Sequence, residues 1–124
     1  MKFTIPYPAN KKEQSAWNKK YGMNAIYAGK HWAQRKADSD FWHDLVQWHL
    51  ITQKVPRKPF LEPVQITFLW NDNMDIDNHG YLGKMIVDGM KDYLLIDDDK
   101  KHYQRVVHGF HDKNYIEIEI EVME

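Results

Sequence analysis

Cysteine is missing from all 124 residues. Its absence excludes a disulfide framework, a thiolate metal site and a cysteine nucleophile. Also missing is any apolar run long enough to span a bilayer, and the first residues carry no signal-peptide pattern. The expectation is a soluble, cytoplasmic protein with no membrane partner. No internal repeat or low-complexity tract interrupts the chain. A strong net charge is absent as well. The total is −1, which by itself says nothing about nucleic acid.

The distribution of charge says more. Residues 11–36 hold Lys11, Lys12, Lys19, Lys20, Lys30, Arg35 and Lys36 against Glu13 alone. Residues 72–99 hold eight aspartates against Lys84 and Lys91. Charge of one sign at that density repels itself unless it is solvated or shares a cation. A solvated acidic loop carries few apolar side chains. This stretch instead contains Tyr81, Leu82, Met85, Ile86, Val87, Met90, Tyr93, Leu94, Leu95 and Ile96. Its carboxylates therefore belong to the edge of a packed element, where oxygen ligands commonly hold a hard divalent cation.

With 43% hydrophobic residues the chain is globular, and at this length it forms one domain over 1–124 with one core. Phe3–Pro6 reads as a short edge strand stopped by Pro6 and Pro8. Residues 9–38 show no clean period. They mix basic residues with Trp17, Tyr21, Tyr27, Trp32, Gly22 and Gly29, and are expected to be irregular or partly helical surface. Such a mixture suits a surface that tracks a phosphate backbone and stacks bases. It also suits a solvated loop pinned to the core by its aromatics.

Ser39 offers an N-cap, and Phe41, Trp42, Leu45, Val46, Trp48 and Leu50 follow near helical spacing to about Thr52. His43 and His49 on that helix are expected at its surface or rim. Pro56–Pro63 is a connector. Val64, Ile66, Phe68 and Trp70 alternate with Gln65, Thr67 and Leu69 as a half-buried strand. From Leu82, apolar positions 85, 86, 90, 93 and 94 have the spacing of an amphipathic helix. Residues 101–110 read as a strand and His111–Asn114 as a hairpin turn. Ile116, Ile118, Ile120 and Val122 alternate with Glu117, Glu119 and Glu121, a solvent-facing stripe on the last strand. The fold class is α+β, a mixed sheet flanked by two main helices.

Asp75 and Asp77 stand two apart just after a strand, so in extended backbone both carboxylates point the same way. Asp97–Asp99 begin the return to the sheet and can approach that pair. Three carboxylates with Lys84 are what Mg²⁺-assisted phosphodiester hydrolysis needs: an ion that polarises phosphate and activates water, and a lysine that offsets developing charge. An EF-hand starting at Asp75 fails, because it would put His79 at position 5 and Ile86 where a bidentate Glu belongs. A zinc site from His102, His108 and His111 lacks ligand spacing. The ordinary alternative is a set of local contacts: Asp77 or Asn78 as a helix cap, Lys84–Asp88 as an i,i+4 pair, Asp97–Asp99 as a turn.

The ordered set Asp75-x-Asp77-Asn78, Lys84-x-x-x-Asp88-Gly89-Met90 and Asp97-Asp98 resembles the RusA family of phage and prophage Holliday junction resolvases. That family's pattern is D-x-D-N, then K-x-x-x-D-A-L, then D-D before a strand. The likeness covers residues 63–122, with Asn24 after Pro6 and Pro8 as a weaker echo. It implies a RusA-like fold and a homodimer that nicks four-way or other branched DNA with Mg²⁺, or Mn²⁺ in its place. It implies Asp75, Asp77 and Asp98 as metal ligands, Lys84 as the catalytic lysine, and Asp97 and Asp99 as near alternatives to Asp98. Trp42, Trp48 and the segment after them supply apolar surface for a dimer. The basic segment is longer than the family norm and implies added phosphate contacts through Lys19, Lys20, Lys30, Arg35 and Lys36.

One departure concerns the lysine, which in the family lies four residues after the second Asp and here lies seven after Asp77. Three extra residues turn a helix by about 300° and lengthen it by about 4.5 Å. Gly80 and Gly83 predict instead a loop, His79–Gly80–Tyr81, that restores the lysine's distance. Two other readings stand beside the nuclease: a DNA-binding module of the same fold without catalysis, and a metal-binding structural protein.

Overall fold

Alternation of apolar and polar side chains builds the sheet, which a computed structural model describes together with the rest of residues 1–123. Strand β2 (Val64–Trp70) turns Val64, Ile66, Phe68 and Trp70 into the core and leaves Gln65, Thr67 and Leu69 half-buried on the far face. Strand β1 (Lys2–Pro6) buries Phe3 and Ile5. Strand β4 (Tyr115–Val122) buries Ile116, Ile118 and Ile120 and turns Glu117, Glu119 and Glu121 outward, as expected. With β3 (Tyr103–Phe110) they form a mixed sheet in the order β1-β4-β2-β3. Only the β2–β3 pair is parallel. Phe3, Ile118, Phe68 and His108 make one row across it.

The hairpin expected at residues 111–114 is not formed, because β2 lies between β3 and β4. The connection instead crosses the end of β2, a span of about 9.6 Å for two strand spacings, which four residues can cover. It is fastened there: the His111 N–H donates to the Trp70 carbonyl at 3.0 Å, and Asn71 Nδ2 to the Lys113 carbonyl at 2.8 Å.

Helices cover one face of the sheet, giving two layers around one core. The two main ones are α3 (Trp32–Thr52) and α4 (Gly80–Met90). They approach so closely that a Cβ on Gly89 would lie 2.8 Å from Val46 Cβ. Helix α3 starts seven residues before Ser39, capped by His31, whose Nδ1 accepts the Ala33 N–H at 3.2 Å. Its first turns are exposed all round. Its inward stripe then opens with Asp38, ahead of Trp42, Val46, His49 and Leu50, so hydrophobicity could not mark the start. His49 sits in that stripe and is buried rather than at the rim; His43 is exposed.

Residues 9–38, expected to be irregular or partly helical, are mostly helical. Asn10 caps α1 (Lys11–Tyr21), its Oδ1 accepting the Glu13 N–H at 2.9 Å. The inner face of α1 is Gln14, Trp17, Asn18 and Tyr21. Two of these four are amides, bonded to each other at 3.0 Å, so the period does not show as apolar letters. Trp17 and Tyr21 meet Trp42 edge-on. A short helix α2 (Met23–Tyr27) follows. No helix among the described residues is long and apolar enough to cross a membrane.

Candidate metal and nucleic-acid site

The loop after β2 is anchored before it reaches Asp75. Asp72 is wholly buried in its side chain, and there it meets the wholly buried ring of His79 at 2.8 Å. Tyr7 Oη donates to the same carboxylate at 2.9 Å and accepts the Asn71 N–H at 2.8 Å. Burial and the neighbouring Asp72 charge push the Tyr7 hydroxyl far above its ordinary pKa, despite the bond from Asn71. Asp72 also accepts the Met74 N–H at 3.1 Å, which turns the chain toward Asp75. His79 presents its other nitrogen to the Ile76 carbonyl at 3.1 Å and stacks on Trp70 at 4.4 Å. Both ring nitrogens face oxygen atoms, which fixes the orientation of the ring. Asp72 and His79 thus clamp the two ends of the segment that carries Asp75 and Asp77.

Within the clamp, Ile76–His79 is a 3-10 turn running straight into α4 at Gly80, in place of the expected loop at His79–Gly80–Tyr81. Asn78 does not cap α4. Its Oδ1 accepts the backbone N–H of Asn24 at 3.2 Å, tying α2 to the acidic turn. Gly22 makes the approach possible, since a Cβ there would lie 2.9 Å from Asn78 Nδ2 and 3.0 Å from Met74 Sδ. Asp75 and Asp77 are exposed and line one cleft of about 310 Å³ with Met23, Asn24, Tyr27 and Asn78. Among the described residues neither carboxylate has a hydrogen-bond or ion-pair partner, and neither caps the turn. Lys19 and Asn73 join Asp75 in the adjoining cleft, so the end of α1 and the acidic pair share one surface.

Lys84 and Asp98 line a different cleft, about 270 Å³, between α4 and β3, with Phe68, Val87, Tyr103 and His108. Asp98 therefore does not join Asp75 and Asp77 as expected. Among the described residues no three Asp, Glu or His side chains gather as a metal-ligand set. Lys91 explains the position of Asp98. Its ammonium lies 3.2 Å from Asp98 and 3.2 Å from Asp88, and 3.9 Å from Asp97. Partial burial would raise the Asp98 pKa, but the hydrogen bond and charge of Lys91 win and hold it below the usual carboxylate range. Lys91 is raised in turn: its own burial opposes the shift, and the nearby charges of Asp98 and Asp88 outweigh it. The Asp88 contact is an ion pair without hydrogen-bond alignment, and that Oδ1 has no hydrogen-bond partner.

Lys84 reaches Asp88 at 3.5 Å, the ordinary i,i+4 pair. Asp99 is held by a hydrogen bond from His102, which lowers its pKa, and Asp97 accepts the Asp98 N–H at 2.8 Å. In the same cleft, burial and the Asp98 charge push the Tyr103 hydroxyl up to about 12. Burial and the neighbouring His79 push His108 down.

The basic candidates divide. Lys19 and Lys20 are exposed at the end of α1 and line a groove of about 500 Å³. Arg35 is exposed on the first turns of α3, as is Lys36, which pairs with Asp40 at 2.9 Å. Lys30 is not available to a phosphate. Its ammonium is buried against Asp38, donates to the Lys20 carbonyl at 2.7 Å and lies over the rings of Tyr21 and Tyr81. Tyr81 Oη completes that knot with a 2.7 Å bond to Asp38, and burial together with Asp38 holds its pKa far above the ordinary value.

Sequence reasoning missed Asp72, His79, Tyr7 and Lys91. One signal was present: Asp72 opens the acidic stretch directly behind a buried strand, where a carboxylate needs a partner. No family model matches the chain, and the search of curated proteins finds no match.

Proposed function

We propose that this chain is a divalent-metal-dependent endonuclease that acts as a homodimer on branched DNA, the four-way junction among its substrates, in the cytoplasm. The ordered resemblance to the RusA family supports this reading. The observation that carries it is the Asp75/Asp77 pair, two carboxylates without a partner among the described residues, in a cleft that adjoins Lys19. Hard oxygen donors of this kind fit Mg²⁺ or Mn²⁺. Bound there, the ion would polarise a phosphodiester and supply a nucleophilic water. Asp75 and Asp77 would hold it, while Asn78 keeps α2 beside them. Lys19, Lys20, Arg35 and Lys36 bind phosphates without reading sequence. Lys84 stands on the neighbouring cleft, ready for a phosphate that reaches the α4 side.

A second reading is a DNA-binding module of the same fold without catalysis. The neutralisation of Asp98 by Lys91 favours it, because a third metal carboxylate is then already spent. A synthetic four-way junction and a matched linear duplex, each with Mg²⁺ or with EDTA, separate the two. Nicking of the junction in Mg²⁺ alone is the expected result. Junction binding without nicking would replace the nuclease by the binding module.

A further inference from the structure

The two edges of the sheet are built differently. β1 is five residues long, with Lys2 at one end and Pro6 at the other. Both a short length and a charge or proline are devices that keep an edge from pairing with another chain. β3 has none of the length or proline protection. It runs eight residues and, among the described residues, pairs only with β2. Val106, Val107 and Phe110 on it are 44%, 40% and 53% exposed. Valines 106 and 107 point to opposite faces, so a strand added alongside would cover apolar surface on both.

We infer that the β3 edge is the dimer surface of this protein, pairing antiparallel with β3 of a second copy about a two-fold axis at Val106. The inference rests on the homodimer in the proposed function and names its surface. Two identical edges can pair only about a two-fold axis, with each residue i opposite j and j opposite i. For the helices of both copies to lie on one side of the joined sheet, opposed residues must share a face, so their numbers differ by an even count.

Charge selects the register among those left. Centring on Val106 lays Lys100 opposite Asp112 of the second copy, and Asp99 opposite its Lys113. The turns flanking β3 then meet with opposite signs at both ends. Centring on Val107 would instead set Lys101 against Lys113. The product is an eight-stranded sheet closed at both ends by the guarded β1 edges. The two Lys84/Asp98 clefts, each walled by Tyr103, Val106 and His108 of β3, then open on the same face beside the axis. That arrangement sets the two Lys84 side chains on one face, where each can meet a phosphate of a symmetric junction.

The absence of cysteine makes the test clean. Directly opposed residues in an antiparallel pair have Cα atoms about 4.5–5.5 Å apart, within reach of a disulfide. Val106→Cys, treated with diamide, is expected to give a covalent dimer on a non-reducing gel. Trp48→Cys, placed on the exposed apolar stripe of α3 with Phe41 and Ile51, is expected to remain monomeric on the gel. Sedimentation of the full chain at micromolar concentration should give a dimer. Asp112→Lys should weaken that dimer at least tenfold, and adding Lys100→Asp should restore it. A wild-type monomer, cross-linking of Trp48→Cys in place of Val106→Cys, or an Asp112→Lys dimer as tight as wild type overturns the inference. Junction nicking is read on the same preparation. Nicking by a dimer joined elsewhere overturns this surface and leaves the nuclease standing, whereas a Val106-linked dimer that never nicks does the opposite.

Discussion

Asp72 and Asp77 lie five residues apart and occupy opposite surroundings. Asp72 has a buried imidazole, a tyrosine hydroxyl and a backbone N–H as partners, whereas Asp77 is exposed and has none among the described residues. The same substitution should therefore do opposite things. Asp72→Asn turns one acceptor oxygen into an amide NH2 facing buried donors, which should cost about 1–3 kcal/mol for each group left unsatisfied. Asp77→Asn removes only a charge that sits near Asp75, so urea unfolding should show stability equal to or above wild type. If Asp77 is a ligand, its Asn variant should lose Mg²⁺ affinity in calorimetry and most nicking, yet still bind the junction. Wild-type nicking by Asp77→Asn would remove Asp77 from the site. The Asp75-x-Asp77-Asn78 spacing was legible because it is local. The role of Asp72 was not, since its partner Tyr7 lies 65 residues away.

Among the elements, α4 and the inner strands declared themselves through periodicity, because each buries one apolar face. α1 did not, since half of its inner face is amide. The hairpin expected between β3 and β4 fails for a related reason: adjacency in sequence does not reveal a strand inserted between two neighbours. The α3–α4 contact was also invisible, yet it is sharply defined. The resembled family carries Ala where this chain has Gly89, and here an added Cβ would collide with Val46 at 2.8 Å. Gly89→Ala should destabilise the protein by about 1–3 kcal/mol through overpacking. Val46→Ala should lose stability alone, through the cavity it leaves, but should rescue part of the loss when combined with Gly89→Ala. A thermodynamic double-mutant cycle in urea measures this. Strict additivity would mean that the helices shift apart without strain.

At the scale of the whole molecule, acid is the expected weakness. His49 is pushed below its ordinary pKa of 6.5 by burial, and His108 by burial and by His79. Above about 6.5 both rings are neutral, folded or unfolded. Below it the unfolded chain takes up protons that the native one resists, so stability falls toward the depressed native values. Each tenfold weakening of a ring's proton affinity on folding is worth about 1.4 kcal/mol. Asp98 adds a lower limb. Its ion pair helps above the ordinary carboxylate value of 3.8 and is lost as pH falls through its depressed one. At the alkaline end the raised hydroxyls of Tyr7, Tyr81 and Tyr103 cost stability from about pH 10, where unfolded tyrosine ionises, and the Lys91 contribution fades as pH rises through a value above 10.5. Urea midpoints should be flat near pH 8 and fall as pH drops below 6.5. The Trp70 indole N–H donates to His108 Nδ1 at 3.0 Å, so His108→Gln keeps an acceptor there and should flatten that fall. An unchanged slope would assign the acid sensitivity to other groups.

The place of β1 beside β4 has a consequence for synthesis. β1 leaves the ribosome early, but its partner strand among the described residues, β4, is made about 110 residues later. At 5–20 residues per second that is a wait of roughly 5–20 s. Central β2 faces a similar delay, since both of its neighbours, β3 and β4, come after α4. A nascent chain stalled at Met90 thus holds two apolar strands with no partner of its own. Such a chain offers chaperones a target that the finished protein conceals.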